Sequence, residues 1–519
     1  MNIDDFFLNK KNKDYAKKLF EKALNIGINF NTNDTIIKKY STSFLINLVK
    51  QDLPVEGEDI KDILNEFKEK FLPYCVNQSS PKYIAFPDAG NSIPGFIAEI
   101  LKPFLNQNLI ADIKSAPVGT YMEIQLINWF RQLIGYKQNN DFPKNISEIG
   151  GICCFGGVLS NVSALLVARS KLFHDSFKNG LGNKTAFLLV PELVDHYCTS
   201  LAMGYLGFGT KNLVEVKVTS DFKIDLEDLE KKIKQIKQEG KEVLAVIAYA
   251  GDTKTMRIDK IDEIAKICKK HNVWLHVDAC HGGSLLFSET QKYKLKGIEL
   301  ADSVTIDPHK ILAVPYPSSI VLFKNASDLI RVSRTYDATI KLNTYDLGQI
   351  TPYIGSKSFE SLKLWFLIKS LGVKKIGEIV DRRTEIVKYF KRLIDESKDF
   401  IALNDVNING FSFIFFPQDL REKCFVNKSN KDDVLFFLDK LNKELHDVLY
   451  EEGEVCINTF KLIDIANKAF LRETGKRQVL GVTFGNSLTK KKDVDRVYEL
   501  LIKTGSSVYE EEKSFFCLN

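Results

Sequence analysis

The stretch VWLHVDACHGG, residues 273–283, decides how the rest of the chain is read. An apolar, strand-forming run leads straight into Asp278 and then into small residues, the pattern of a buried strand that stops at a roomy edge. A carboxylate there is costly unless something positive faces it. Thirty-two residues beyond Asp278, in ADSVTIDPHKILAVPYPSS (301–319), a second strand pattern runs into Asp307, Pro308, His309 and Lys310. A lysine so placed is either solvated or a functional amine whose neutral, nucleophilic form is favoured by partial desolvation. Upstream, CCFGGVLSNVSALLVAR (153–169) sets Gly156 and Gly157 at the opening of a helical pattern, with Ser160 or Asn161 as its cap. Free backbone N–H groups at such a start suit a phosphate.

An amine, an acid and a phosphate cradle are what pyridoxal phosphate requires: one to hold its aldehyde, one to keep its ring nitrogen protonated, one to anchor it. The surrounding sequence supplies a scaffold for them. Strand patterns occur at 185–191, 212–218, 243–250, 273–279, 302–307 and 318–323, with helical patterns at 160–175, 225–239 and 259–271. That alternation predicts a wide, mostly parallel sheet with helices on both faces. Helical spacing (Tyr15, Leu19, Phe20, Leu24) marks the N-terminal segment, and a loop-like stretch covers 77–94. Beyond residue 370 the pattern becomes helix 376–397, strand 411–416, helix 432–451, strand 480–485, helix 491–504, a smaller α+β unit. The expected division is 1–110 for an N-terminal helical segment with a substrate-pocket loop, 111–375 for a cofactor-binding domain, and 376–519 for a small C-terminal domain.

Composition excludes several classes. Across 519 residues, Lys+Arg 72 against Asp+Glu 67 leaves +5, too little charge to imply nucleic acid. No run approaches the roughly 20 apolar residues of a membrane helix. The N-terminus, MNIDDFFLNKKNKDY, lacks the basic-then-apolar form of a signal peptide. Nine cysteines without C-x-x-C spacing argue against a disulfide framework or a zinc site. A cytoplasmic protein without a metal is expected.

The segment from Asp259 to Lys310, with HVDACHGG and DSVTIDPHK, resembles the pyridoxal-phosphate-dependent group II amino-acid decarboxylases, the family of the glutamate, aromatic amino-acid and cysteine-sulfinate enzymes. FPDAGNSIPGFIAEILKPFLNQN (86–108), SAPVGTYMEIQLINWF (115–130) and SFESLKLWF (358–366) resemble its other signatures, so the likeness covers most of the chain. It implies a fold-type I homodimer with shared active sites and pyridoxal 5'-phosphate as cofactor. Carried over by motif, Lys310 forms the Schiff base and Asp278 pairs with the ring nitrogen. His196 in VPELVDHYCTS stacks on the ring, and Thr253 in AYAGDTKT lies beside it. His309, Gly156 and Gly157 surround the phosphate, Cys280 packs against the cofactor, and Asp88 faces the substrate. Tyr345 in NTYDLGQ is the loop proton donor, with Tyr336 as the alternative.

Some positions depart from the family pattern. Cys280 replaces a usual alanine, His281 a common aromatic residue, and Val158 a serine or threonine of the phosphate turn. Lys357 and Ser358 stand where arginines are common. HVDAC is also similar to the sphingosine-phosphate lyases of the same fold. The expected activity is an L-amino-acid α-decarboxylase, releasing carbon dioxide and a primary amine through Lys310. The alternatives are a carbon–carbon lyase or aldolase of that fold, an aminotransferase, or a non-catalytic cofactor-binding protein. An acidic Asp88 argues against a substrate side-chain carboxylate, whereas Lys357 and Arg334 argue for one.

Overall fold

Seven strands between residues 151 and 323 build the larger sheet: β1 (Gly151–Cys154), β2 (Ala186–Pro191), β3 (Leu213–Val216), β4 (Glu242–Tyr249), β5 (Trp274–Asp278), β6 (Ser303–Ile306) and β7 (Ser319–Phe323). In this computed structural model, which describes residues 3–88, 90–138, 141–174, 176–193, 197–333, 345–426, 431–469 and 475–513, their order is β1-β7-β6-β5-β4-β2-β3. From β3 to β6 neighbours run parallel, while β7 runs antiparallel to both β6 and β1. Every residue of β5, β6 and β7 is buried; β7 reads as an apolar run, whereas the buried polar side chains of His276 in β5 and Ser303 and Thr305 in β6 hydrogen-bond one another.

Helices join the strands as crossovers. Gly157–Leu172 connects β1 to β2, Leu226–Gln238 connects β3 to β4, and Ile261–Lys270 connects β4 to β5. The last buries Ile261, Ile264, Ala265 and Cys268, one stripe at helical spacing. Asp225 caps the second, its carboxylate accepting from the Glu227 and Asp228 N–H groups at 3.0 Å each. The six strands expected from 185 onward lie within two residues of their observed positions. β1 was not separated in the sequence because its four residues merge into the glycine turn that follows.

The smaller sheet is antiparallel, in the order β10-β11-β9-β8, from β8 (Phe400–Ala402), β9 (Gly410–Phe415), β10 (Asn458–Leu462) and β11 (Arg477–Thr483). Helices Lys431–Glu452 and Lys491–Lys513 pack with it around a second core. Asn442, fully buried there, satisfies both backbone groups of Phe415, at 2.9 and 3.0 Å. A single helical span, Ser361–Glu396, touches both cores: Leu362, Leu364 and Leu367 join the first, Val387, Phe390 and Ile394 the second. Gly372, at φ +65°, breaks it, so the sequence pattern showed a helix start at 376 and missed the first half.

Toward the N-terminus, helix Lys13–Asn31 has the expected spacing, yet Tyr15, Phe20, Leu24 and Ile28 are exposed. Phe20 meets Phe104 of helix Ile93–Leu105 edge-on at 5.5 Å. No helix among the described residues is long and apolar enough to cross a membrane.

Candidate active site

Beyond the C-terminal ends of β4, β5 and β6, the edge where open α/β sheets place their ligands, lies a cavity of about 330 Å³. β5 delivers Asp278 to its floor. The carboxylate accepts from the Asn161 side-chain amide at 3.1 Å and from the Cys280 N–H at 3.0 Å. A buried relay sets the amide's direction. Trp274 Nε1 donates to Ser303 Oγ at 2.9 Å, that hydroxyl lies 2.8 Å from His276 Nδ1, and His276 Nε2 lies 2.7 Å from Asn161 Oδ1. Burial holds the His276 imidazole down to about 4, so the ring is neutral. Its Nε2–H donates to Asn161, leaving the Asn161 amide free to donate to Asp278. Ser160 and Asn161 are therefore not helix caps. Gly156 occupies the cap position, and both side chains lie inside the first turns.

Lys310 sits on the one-turn helix Pro308–Ile311, with its Nζ 3.1 Å from Asp307 Oδ2. Asp307 is fully buried, and its other oxygen accepts from Ser319 Oγ at 2.5 Å. Burial by itself would lower the Lys310 ammonium. The Asp307 carboxylate, with Asp278 and Asp88 further off, outweighs it and holds the amine well above its ordinary value. Asp278 and Lys310 face the same space.

The glycine turn forms one wall. Gly156 has φ +115°, a conformation that side chains disfavour. At Gly157 a Cβ would meet Asp307 Oδ2 at 2.6 Å and Cys280 Sγ at 3.0 Å, so the helix start approaches Asp307 only because it is glycine. Cys280 lies beneath it, and burial pushes its thiol well up, which makes it an inert packing group. His309 Nδ1 pairs with the Ser318 carbonyl, leaving Nε2 3.9 Å from both Asp88 and Asp307. The Tyr316 ring lies 4.8 Å from the His309 ring, and its phenol neighbours the Asp88 carboxylate, which burial raises above the usual range.

Of the residues singled out in the sequence, Lys310, Asp278, Gly156, Gly157, Cys280, His309 and Thr253 line this one cavity, Thr253 at its exposed rim. Asp88 stands just behind the His309–Tyr316 wall. Tyr345 is elsewhere: its hydroxyl donates to the Pro143 carbonyl at 2.9 Å, and its ring packs on Tyr121 and near Phe142. His196, Arg334 and Tyr336 lie outside the described residues. Lys357 does not reach the cavity lining. It is buried against Glu123 at 3.1 Å and the Cys153 carbonyl at 2.6 Å, so it does not supply a cation for a substrate. Sequence reasoning missed Asn161 as the partner of Asp278, and Asp307 as the partner of Lys310. The second had a signal: in DPHK, acid and lysine stand at i and i+3 on a helical turn.

The donor set fits pyridoxal phosphate. A lysine and a carboxylate share the cavity, a glycine turn opens a helix on its wall, and His281 leaves both ring nitrogens buried without a partner among the described residues.

Comparison with known proteins agrees with this chemistry. The family described as the pyridoxal-dependent decarboxylase conserved domain matches residues 43–415. Human cysteine sulfinic acid decarboxylase is 27% identical over 440 residues, 82% of this chain and 86% of that protein. The L-2,4-diaminobutyrate decarboxylase of Acinetobacter baumannii is 28% identical over 427 residues, 78% of this chain and 79% of that one. The crystal structure of mouse CSAD superimposes with a TM-score of 0.84 at 24% identity, covering 95% of this chain and 99% of that structure.

Proposed function

The chain belongs to the pyridoxal-dependent decarboxylase family and is a pyridoxal-phosphate-dependent amino-acid decarboxylase; from that premise we propose that it removes the α-carboxyl group of an L-amino acid at the Lys310–Asp278 cavity. The observation that carries this reading is the shared cavity of Lys310 and Asp278, with Asp278 held by Asn161 and the Cys280 N–H. When bound, pyridoxal phosphate supplies an aldehyde that takes up an amine and a protonated ring that accepts the electron pair left by the departing carboxyl group.

The chain's own groups do the rest. Lys310 offers the amine that holds the cofactor and yields to the incoming amino acid. Asp278, fixed by the neutral His276–Asn161 relay, keeps a proton on the ring nitrogen. The backbone N–H groups at Gly156 and Gly157, with His309, receive the phosphate. Cys280 and Thr253 close the cofactor's surroundings, and His196 takes the stacking position. Tyr345 or Tyr336, or His196, would supply the proton that takes the place of the departing carboxyl group at Cα.

Tyr345 does not line this cavity and bonds Pro143 of its own chain; in the proposed homodimer it would serve the site of a second copy. The exposed apolar faces of helices Lys13–Asn31 and Ile93–Leu105 support such a homodimer. On this reading residues 1–110 form an N-terminal helical segment with the substrate-pocket loop, 111–375 the cofactor-binding domain and 376–519 a small C-terminal domain. Lys310 is the only lysine or arginine among the described residues lining the cavity, which Asp307 also lines, while Asp88 stands behind the His309–Tyr316 wall. A neutral or cationic substrate side chain suits that charge better than an acidic one.

The test is carbon dioxide release from single amino acids, with pyridoxal phosphate supplied. Release from 2,4-diaminobutyrate or an aromatic amino acid, exceeding that from glutamate and cysteine sulfinate, is expected. Absence of release from every amino acid by cofactor-loaded protein contradicts the decarboxylase reading, and retro-aldol products without carbon dioxide put the lyase in its place.

A further inference from the structure

His281 is 4% exposed and lines the cavity. Among the described residues that line it, His281 alone leaves buried side-chain nitrogens or oxygens without a hydrogen-bond partner. Burying an imidazole with neither nitrogen paired is unfavourable, so the arrangement anticipates a polar group that arrives with the ligand.

Pyridoxal phosphate carries four polar groups, and three already have counterparts here. The ring nitrogen faces Asp278, the aldehyde carbon Lys310, and the phosphate the turn at Gly156 and Gly157. The ring hydroxyl is left over. Position agrees with this elimination. Lys310 follows β6, and the glycine turn follows β1, both on one side of β5. His281 packs toward the other side: a Cβ at Gly251, just past β4, would lie 2.9 Å from His281 Cβ, and the Gly282 N–H bonds the Ala250 carbonyl at 2.8 Å.

We propose that His281 hydrogen-bonds the ring hydroxyl of bound pyridoxal phosphate and so fixes the cofactor on the flank opposite its phosphate. Burial first, then the nearby charges of Lys310 and His309, keep the imidazole far below its ordinary value. It therefore presents one N–H donor and one acceptor. The inference rests on the cavity being the cofactor site.

Its test is a coupling measurement. The dissociation constants of pyridoxal phosphate and of its analogue lacking the ring hydroxyl are measured on the wild type and on His281→Phe. Removing the hydroxyl is expected to weaken binding about tenfold more in the wild type than in the variant, the worth of one hydrogen bond. His281→Gln, which keeps a donor, should retain most of that coupling. Equal ratios in wild type and His281→Phe overturn the proposal, as does coupling found instead with Thr253→Val. Should the phenylalanine variant not fold, the wild type labelled with 15N-histidine decides: a ring-nitrogen resonance that moves with pyridoxal phosphate but not with the analogue supports the contact, and identical spectra overturn it. Failure of the wild type to retain pyridoxal phosphate at all would instead overturn the underlying cofactor assignment.

Discussion

Replacing Asp307 with asparagine removes the negative charge nearest the Lys310 amine while keeping a side chain of the same shape that still accepts from Ser319. The two charges are 3.1 Å apart; at an effective dielectric of about 20, Coulomb's law gives roughly 5 kcal/mol for such a pair. The lysine side chain keeps 19% of its exposure, and Asp278 and Asp88 remain, so about half of that, some 2–3 kcal/mol, is the expected change. The direction follows from Lys310 being held above its ordinary value. The pair stabilises the cofactor-free protein below the unfolded lysine value, and that stability is lost as pH rises through the folded value. Asp307→Asn should therefore melt earlier at neutral pH. It should also carry a larger fraction of neutral amine and capture pyridoxal phosphate faster. Stopped-flow absorbance on mixing cofactor-free protein with pyridoxal phosphate reads that rate, and an increase of at least about tenfold is expected. An unchanged or slower capture rate in a folded variant would refute the reasoning, because the charge state of Lys310 would then not be set by Asp307.

Other consequences follow from the same geometry. Gly157→Ala places a Cβ 2.6 Å from Asp307 Oδ2, so equilibrium dialysis should register at least about a tenfold loss of pyridoxal phosphate affinity. His276 is neutral in the fold, with a value near 4 against 6.5. Above pH 6.5 it has no effect, and as pH falls from 6.5 to 4 the unfolded state takes up a proton the fold refuses. That costs about 3 kcal/mol at the lower end, and denaturant titrations should find this component missing in His276→Gln. Tyr345→Phe loses one hydrogen bond, to Pro143, worth about 1 kcal/mol. A fall in kcat well beyond its effect on Tm would place the hydroxyl in the partner's site.

How legible the site was depended on where each residue's signal resides. Asp278 and Lys310 stood out because one ends a strand pattern and the other follows one within a few residues, where packing gives a charged group no role. Gly156 and Gly157 carried weight only beside Asp278 and Lys310, because a glycine pair opening a helix is by itself a weak signal. Asn161 did not, because an asparagine so near the start of a helix reads as a cap, and only the fold brings its amide to Asp278. The Lys357–Glu123 pair was likewise hidden, since its members are more than two hundred residues apart. In the smaller unit β9 and β11 read clearly, but β8 is three residues long, and β10, with one buried residue in five, carries no apolar run.

Reduction of the cofactor-loaded protein with borohydride, followed by peptide mass mapping, tests the central claim most directly. The account predicts one pyridoxyl group per chain, on Lys310, and none in Lys310→Ala. A pyridoxyl group on any other lysine, or full labelling of the Lys310→Ala protein, would contradict it.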